Sequence, residues 1–246
     1  MNPVGGWRLA VDGGPPPFHG DARGRVAASR QPPTDNRQLP PGIRSWTDGR
    51  VLAEAAHKYE LIVLGCSMGG MAAMEQIFGV LPQDFRVPIV VAQHRYRTSG
   101  EALPSFLRRH SKLNVVDALD KQWIHPGNVY LAPADYHLMV DRGGELSLSV
   151  DAAVAYSRPS IDVLFESAAD AYQAGVIGVV LTGANADGAR GAMRIKQRGG
   201  FVVVQDPKTA ESAEMPQAAI AATRVDRILP LDRIGPFLVE LCRNSG

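Results

Sequence analysis

From Glu60 onward the chain repeats one pattern: a short run of apolar, mostly β-branched residues, a turn, then a stretch with helical character. Leu61-Ile-Val-Leu64 ends at Gly65 and leads to an amphipathic stretch over about Gly70 to Phe78. Pro88-Ile-Val-Val-Ala92 precedes a helical stretch from Glu101 to His110. Val176-Ile-Gly-Val-Val-Leu181 precedes another from about Gly188 to Arg198. Phe201-Val-Val-Val204 is a further strand candidate. A helix near Pro216 to Ala222, a strand near Arg227 to Leu229 and a helix from about Ile234 follow it. Strands that are apolar at every position, not at alternate ones, are covered on both faces. Their alternation with helices marks a parallel sheet. The expected fold is therefore α/β, with a mainly parallel, doubly wound, Rossmann-like sheet.

The middle of the chain breaks this rhythm. Asn128-Val-Tyr-Leu131, His137-Leu-Met-Val140 and Leu146-Ser-Leu-Ser149 are short strand-like runs, and Asp141-Arg-Gly-Gly144 carries hairpin-turn chemistry. These runs predict an antiparallel hairpin excursion from the parallel sheet. Residues 1–55 differ from the rest: Pro15-Pro-Pro17, Pro32-Pro33 and Pro40-Pro41 interrupt them and no apolar period persists. Such composition does not offset chain entropy and predicts a disordered tail before a domain over 56–246.

Bulk properties exclude several classes. Formal net charge is +1 over 246 residues, which gives no electrostatic footprint for nucleic acid. No apolar run approaches the roughly 18 residues of a membrane span. Cys66 and Cys242 are the two cysteines, too few for a disulfide framework. With no secretory leader in evidence, the expected compartment is the reducing cytoplasm.

In open α/β sheets, ligands bind beyond the carboxyl ends of the strands. After the first strand comes Gly65-Cys-Ser67-Met-Gly69-Gly70, after the second Gln93-His94, and after Leu181 the turn Thr182-Gly-Ala-Asn-Ala-Asp187-Gly188. A serine, a histidine and an aspartate thus occupy strand-end turns that share one edge. Serine needs a base to become a nucleophile, histidine titrates near neutrality, and a carboxylate orients the imidazole. Gly65-x-Ser67-x-Gly69 also fits an elbow that exposes a serine hydroxyl at a helix N-terminus, where N–H groups favour a developing oxyanion. The order Ser, His, Asp differs from the Ser, Asp/Glu, His order of α/β-hydrolases, so the elbow does not place the chain among them.

Plainer readings stand beside this one. Ser67 would serve equally as a capping or phosphate-binding serine, and Asp187 as the N-cap of the helix it precedes. His19, His57, His110, His125 and His137 lack the strand-end position of His94 and read as surface or structural residues. Cys66 reads as a small packed residue and not a nucleophile. A dinucleotide-binding turn is disfavoured. Ser67 stands where the second glycine belongs, and the second strand ends in Gln93-His94 where an acidic residue would meet a ribose.

Seven segments in order resemble the catalytic domain of the chemotaxis protein-glutamate methylesterases, over about Leu61 to Leu241. They are Gly65-Cys-Ser-Met-Gly-Gly70, Val90-Val-Ala-Gln-His94, Pro126-Gly-Asn-Val-Tyr-Leu-Ala-Pro133, Arg158-Pro-Ser-Ile-Asp-Val-Leu-Phe165, Leu181-Thr-Gly-Ala-Asn-Ala-Asp-Gly-Ala189, Gln205-Asp206 and Met215-Pro216. The resemblance implies a Ser67–His94–Asp187 triad and no metal or organic cofactor. It implies hydrolysis of glutamate 5-methyl esters on a methylated chemoreceptor or related signalling protein, with release of methanol; many relatives also deamidate receptor glutamines. The tail is too short for the receiver domain that familiar members carry, which would leave regulation to a separate protein. Met68 stands where many relatives have Thr, and Thr182-Gly-Ala184-Asn185 replaces the usual Thr-Gly-Met-Gly. That methionine's backbone N–H is associated with the oxyanion hole, a role a backbone donor at Ala184 would retain. The competing functional readings are a non-catalytic docking module of the same fold and a small-molecule serine esterase.

Overall fold

The computed structural model describes residues 59–95 and 102–243, together with two short strands, β1 (Trp46–Thr47) and β2 (Arg50–Val51), which pair antiparallel. Apart from these strands, the tail expected over residues 1–55 lies outside the described residues.

The next strand, β3 (Leu61–Cys66), is buried along its whole length. Ile62, Leu64 and Cys66 enter one core and Leu61 and Val63 the other, as the two-residue pleat requires. β3 lies at the middle of a seven-stranded sheet. On one side it pairs with β4 (Ile89–Gln93), then come β6 (Asn128–Leu131) and β5 (Asn114–Asp117). On the other side are β9 (Val176–Val180), β10 (Phe201–Gln205) and β11 (Arg227–Leu229). Every pairing in this sheet is parallel.

Helices cover both faces. α1 (Gly70–Val80), α2 (Ala102–His110) and α6 (Leu231–Arg243) bury Met74, Ile77, Phe78, Leu107 and Leu238 against one face. α3 (Ile161–Tyr172), α4 (Ala189–Gln197) and α5 (Glu214–Ala222) bury Leu164, Phe165, Ile195 and Met215 against the other. Each such fully buried side chain contributes on the order of 1.5–3 kcal/mol. Among the described residues no helix is long and apolar enough to cross a membrane.

The doubly wound α/β expectation holds, with one correction. Asn128–Leu131 is not part of an antiparallel excursion: β6 runs parallel between β4 and β5. A short apolar run carries no direction of its own; the connection through α2 and β5 returns the chain the same way round. The antiparallel element is the hairpin of β7 (His137–Val140) and β8 (Leu146–Ser149), which forms a separate two-stranded sheet. β5 and α3 are additions to the sequence reading. β5 is four residues at the sheet edge with polar ends, and α3 follows the hairpin, where strand–helix alternation gives no cue.

The second half of the sheet begins beside β3, so the carboxyl ends of β3, β4 and β9 lie at the topological switch point where such sheets take ligands.

Candidate active site

β3 runs into a sharp turn over Ser67, Met68 and Gly69 before α1 begins. The Gly70 N–H donates to Ser67 O at 2.9 Å, and Gly69 has φ 76°, a left-handed conformation suited to glycine. A Cβ at Gly65 would run into Ile161, so glycine there lets the start of α3 come up against the end of β3. The elbow is held from the neighbouring strand end. Ser67 N–H donates to Thr182 O at 2.9 Å, and the Thr182 hydroxyl donates to Met68 O at 2.8 Å. Thr182 N–H in turn donates to the buried Gln205 Oε1 at 2.9 Å. Every backbone contact thus fixes the turn, while the Ser67 hydroxyl and the N–H groups of Met68 and Ala184 have no partner among the described residues.

His94 follows β4 and its N–H donates to Cys66 O, which sets it beside the elbow. Its Nε2 lies 2.7 Å from Asp187 Oδ2. The other nitrogen, Nδ1, lies 3.3 Å from Asn185 Nδ2. The protons in this chain follow from one fixed donor. Asp187 N–H donates to the Asn185 side chain at 3.0 Å, so the atom there is Oδ1 and the carboxamide presents its NH2 to the imidazole. Nδ1 is then an acceptor, and Nε2 carries the proton that it donates to Asp187. The nitrogen left unprotonated, and so able to act as a base, is Nδ1.

Asp187 is 2% exposed, and both carboxylate oxygens are satisfied. Oδ2 accepts from His94 and from Ile161 N–H at 2.8 Å; Oδ1 accepts from Ser160 Oγ at 3.0 Å and Asp162 N–H at 2.9 Å. Burial alone would raise the Asp187 carboxyl. The His94 hydrogen bond and the Asp162 and Ile161 N–H groups outweigh it and hold the group below the ordinary aspartate value. The last two donors are the first N–H groups of α3, whose positive dipole end acts in the same direction. Asp187 therefore does not cap α4, the helix it precedes. The α4 N-cap is Gly188, without a side-chain cap, and Asp162 of α3 accepts from Gly188 N–H at 2.9 Å and Gly191 N–H at 2.7 Å. Each aspartate caps the other's helix. Asp162 sits on the less favourable side of the exchange: burial raises its carboxyl, and the nearby Asp187 charge adds to that.

Ser67 and His94 open onto a cleft of about 430 Å³, with Met68, Arg95, Tyr156 and Arg158 on its walls. Arg158 is held by Asp135 Oδ1 at 2.6 Å and by the Val150 and Asp151 carbonyls. Arg95 donates through Nη2 to Asp117 Oδ1 and Ala132 O, both at 2.7 Å. Tyr156 is fully exposed on a two-residue turn closed by reciprocal Val154 and Ser157 backbone bonds of 3.1 and 2.9 Å. Its central residues, Ala155 and Tyr156, have φ 48° and 65°. Positive φ at both positions marks a type I′ turn, which favours Asn-Gly and here holds neither residue.

The three residues singled out from the sequence thus meet at one edge, with His94 and Asp187 in direct contact and Ser67 sharing the cleft with His94. Cys66 points away, fully buried, with its thiol pushed up by burial. His137 is buried elsewhere, between Ser160 N–H and Ala152 O, and His110 binds Phe106 O. Ser160, Asp162 and Asn185 were not singled out as site residues. The first two lie inside the Arg158–Phe165 segment; Asn185 stood out only as a departure from the usual glycine.

Comparison with known proteins places the chain in a family. The sequence profile described as CheB methylesterase matches residues 62–238. A putative protein-glutamate methylesterase/protein-glutamine glutaminase of Leptospira interrogans is 46% identical over 188 residues, covering 76% of this chain and 97% of that protein. Protein-glutamate methylesterase/protein-glutamine glutaminase 1 of Carboxydothermus hydrogenoformans is 42% identical over 180 residues, covering 71% of this chain and 53% of its own length. The crystal structure of the Thermotoga maritima CheB methylesterase catalytic domain superposes with a TM-score of 0.72 at 34% identity, covering 74% of this chain and 98% of that one. With the profile spanning most of the chain and a near full-length relative at this identity, the protein belongs to the CheB methylesterase family.

Proposed function

We propose that the chain is a serine esterase that hydrolyses glutamate 5-methyl esters on a methylated chemoreceptor or related signalling protein, and that it also deamidates glutamine side chains. The observation that carries this reading is the short His94–Asp187 bond beside a serine whose hydroxyl has no partner among the described residues. In the proposed reaction the Ser67 hydroxyl attacks the ester carbonyl and passes its proton to His94 Nδ1. The N–H groups of Met68 and Ala184 receive the charge that develops on the carbonyl oxygen. Asp187 stabilises the imidazolium through Nε2. The proton then moves from Nδ1 to the departing methoxy oxygen, methanol leaves, and an acyl-enzyme remains on Ser67. Water, activated by the same nitrogen, releases the glutamate carboxylate. With a glutamine substrate the leaving group is ammonia. The open cleft suits a side chain presented on a protein surface. Both cysteines are free and buried, in keeping with a reducing compartment, and we assign the activity to the cytoplasm.

The test is methanol release from a methylated chemoreceptor, combined with a fluorophosphonate probe and mass spectrometry. Turnover that stops in step with a single adduct on Ser67 is expected. Full turnover by a protein modified at Ser67 would refute the reading.

A further inference from the structure

Nδ1 of His94 has one in-plane lone pair, and in the resting structure Asn185 Nδ2 points at it from 3.3 Å. The carboxamide does not turn freely, because Asp187 N–H holds its Oδ1 at 3.0 Å. Asn185 itself is half-buried. Any atom that exchanges a proton with Nδ1 during the proposed reaction therefore enters the space between the ring and this NH2 group. It takes the lone pair, and the Asn185 N–H is left next to the entering atom. What that atom offers in return depends on its lone pairs.

A departing methoxy oxygen has two. One receives the proton from Nδ1 and the other accepts from Asn185. The amine nitrogen of a tetrahedral intermediate formed from glutamine has a single lone pair. Once that has taken the proton, only N–H groups face the Asn185 NH2. We infer that Asn185 is a specificity-determining residue, which favours departure of an ester oxygen over departure of an amide nitrogen at this site. The inference rests on the proposed triad reaction and narrows it. Both substrates react, with the methyl ester preferred through a side-chain donor that contacts the leaving group.

The decisive measurement is kcat/KM, which reports acylation, for three substrates sharing one glutamyl acyl group: the oxygen methyl ester, the S-methyl thioester and the primary amide. Sulfur is a weak acceptor, so the thioester gives a readily measured arm even where deamidation is slow. One lost hydrogen bond corresponds to roughly a tenfold change in rate. Asn185→Ala is expected to lower the ratio of oxygen-ester to thioester kcat/KM roughly tenfold, and the ratio of ester to amide by a similar factor. Asn185→Asp keeps the oxygen that accepts from Asp187 N–H but has no donor. It is expected to lower the same ratios, which separates the donor from the anchor. Circular dichroism checks that both variants fold. Equal losses on all three substrates, or no change, would overturn the inference while leaving the esterase reading intact. A wild-type protein inert towards all three would instead remove the reading on which it rests.

Discussion

The two sides of the cleft are built on opposite principles. On the side of the proposed base, the three central groups all meet partners: His94 meets Asp187 and Asn185, Asp187 meets four donors, and Asp162 returns the capping by holding the start of α4. On the side of the proposed nucleophile the backbone is tied down, but the groups proposed to react are open. Ser67 Oγ and the neighbouring Met68 and Ala184 N–H groups have no partner among the described residues, and Tyr156 stands exposed on a strained turn. The difference follows from what each side must do. A base and its carboxylate need one fixed tautomer and geometry before substrate arrives, which a buried and satisfied network provides. Oxyanion donors and a nucleophile need their hydrogen-bonding capacity unspent until the carbonyl is in place.

The largest effect should come from the open side. Ser67→Ala is expected to lower ester turnover by about three orders of magnitude or more, with unchanged thermal stability, because only an unbonded hydroxyl is lost. His94→Ala should cost a similar factor in rate, and the double variant little more than either single, since nucleophile and base act as a unit. A double variant whose loss equals the product of the two would mean the residues do not work together. Cys66→Ala should keep turnover, although its buried side chain leaves a small void.

Asp187→Asn tests the satisfied side and should damage both function and stability. The four groups around the carboxylate all donate. Either orientation of an asparagine amide would point its NH2 at a backbone N–H, of Ile161 or of Asp162. One buried mismatch of this kind costs roughly 1–3 kcal/mol. Turnover should fall by about two to four orders of magnitude as the imidazole loses its anionic partner. The pH dependence has a definite sign. Asp187 sits below the ordinary aspartate value in the folded protein. Its stabilisation is thus complete above the unfolded value of about 3.9 and is lost as pH falls through the folded value. The stability gap between wild type and Asp187→Asn, measured by urea unfolding, should therefore narrow below about pH 4. A gap constant from pH 7 to pH 3 would show that the carboxylate's charge is not what stabilises this side.

How far this contrast could be read from the sequence depends on the range of the interactions. Ser67, His94 and Asp187 are legible because each lies in the turn after a buried apolar strand, and strand ends on a parallel sheet share an edge. The partner of Asp187 is not legible. An aspartate before Gly188 and a helical stretch reads locally as that helix's own cap, whereas the structure uses it on α3, some 25 positions back in the chain. Nothing local separates the two uses; the choice is made by α3 and α4 packing side by side, which also brings Asp162 to α4. β6 follows the same logic in the sheet: its three apolar positions, Val129, Tyr130 and Leu131, mark a strand, but its direction is set by what lies between it and β4.

Asp162 sharpens the comparison with a smaller, sign-dependent effect. Asp162→Ala removes the acceptor for Gly188 and Gly191 N–H and should destabilise by about 1–2 kcal/mol. Asp162→Asn keeps an acceptor oxygen at that position. Because the folded carboxyl is raised, its ionised form is disfavoured, so stability from this group falls as pH rises through the folded value. The asparagine variant gives up that penalty and the repulsion from Asp187. It should stay within about 1 kcal/mol of wild type at pH 7 and gain relative to it as pH rises from 4 to 7. Equal destabilisation by alanine and asparagine would mean that the charge, not the acceptor, holds α4.

The smallest expected change lies in the turn that carries Tyr156, and it has the opposite sign from all the others. Ala155 and Tyr156 both have positive φ, a conformation that costs a residue with a Cβ on the order of 1 kcal/mol and that asparagine and glycine tolerate. The pair Ala155→Asn and Tyr156→Gly installs the sequence that a type I′ turn prefers. Glycine's extra freedom in the unfolded chain takes back part of the gain, leaving a net stabilisation of about 0.5–1 kcal/mol. Tyr156 contacts the cleft but none of the groups assigned to bond breaking. If the ring is retained to grip the polypeptide around the scissile side chain, the stabilised double variant should show a raised KM for a methylated protein with kcat unchanged. Hydrolysis of a small glutamyl methyl ester, which lacks the surrounding polypeptide, should be unaffected. Ala155→Asn alone keeps the ring and should gain stability without the change in KM. Lower stability in both variants would show that the turn is not strained. Unchanged KM in the stabilised double variant would leave the exposed ring without a part in binding, and the open side of the cleft would then reduce to the elbow and its backbone donors.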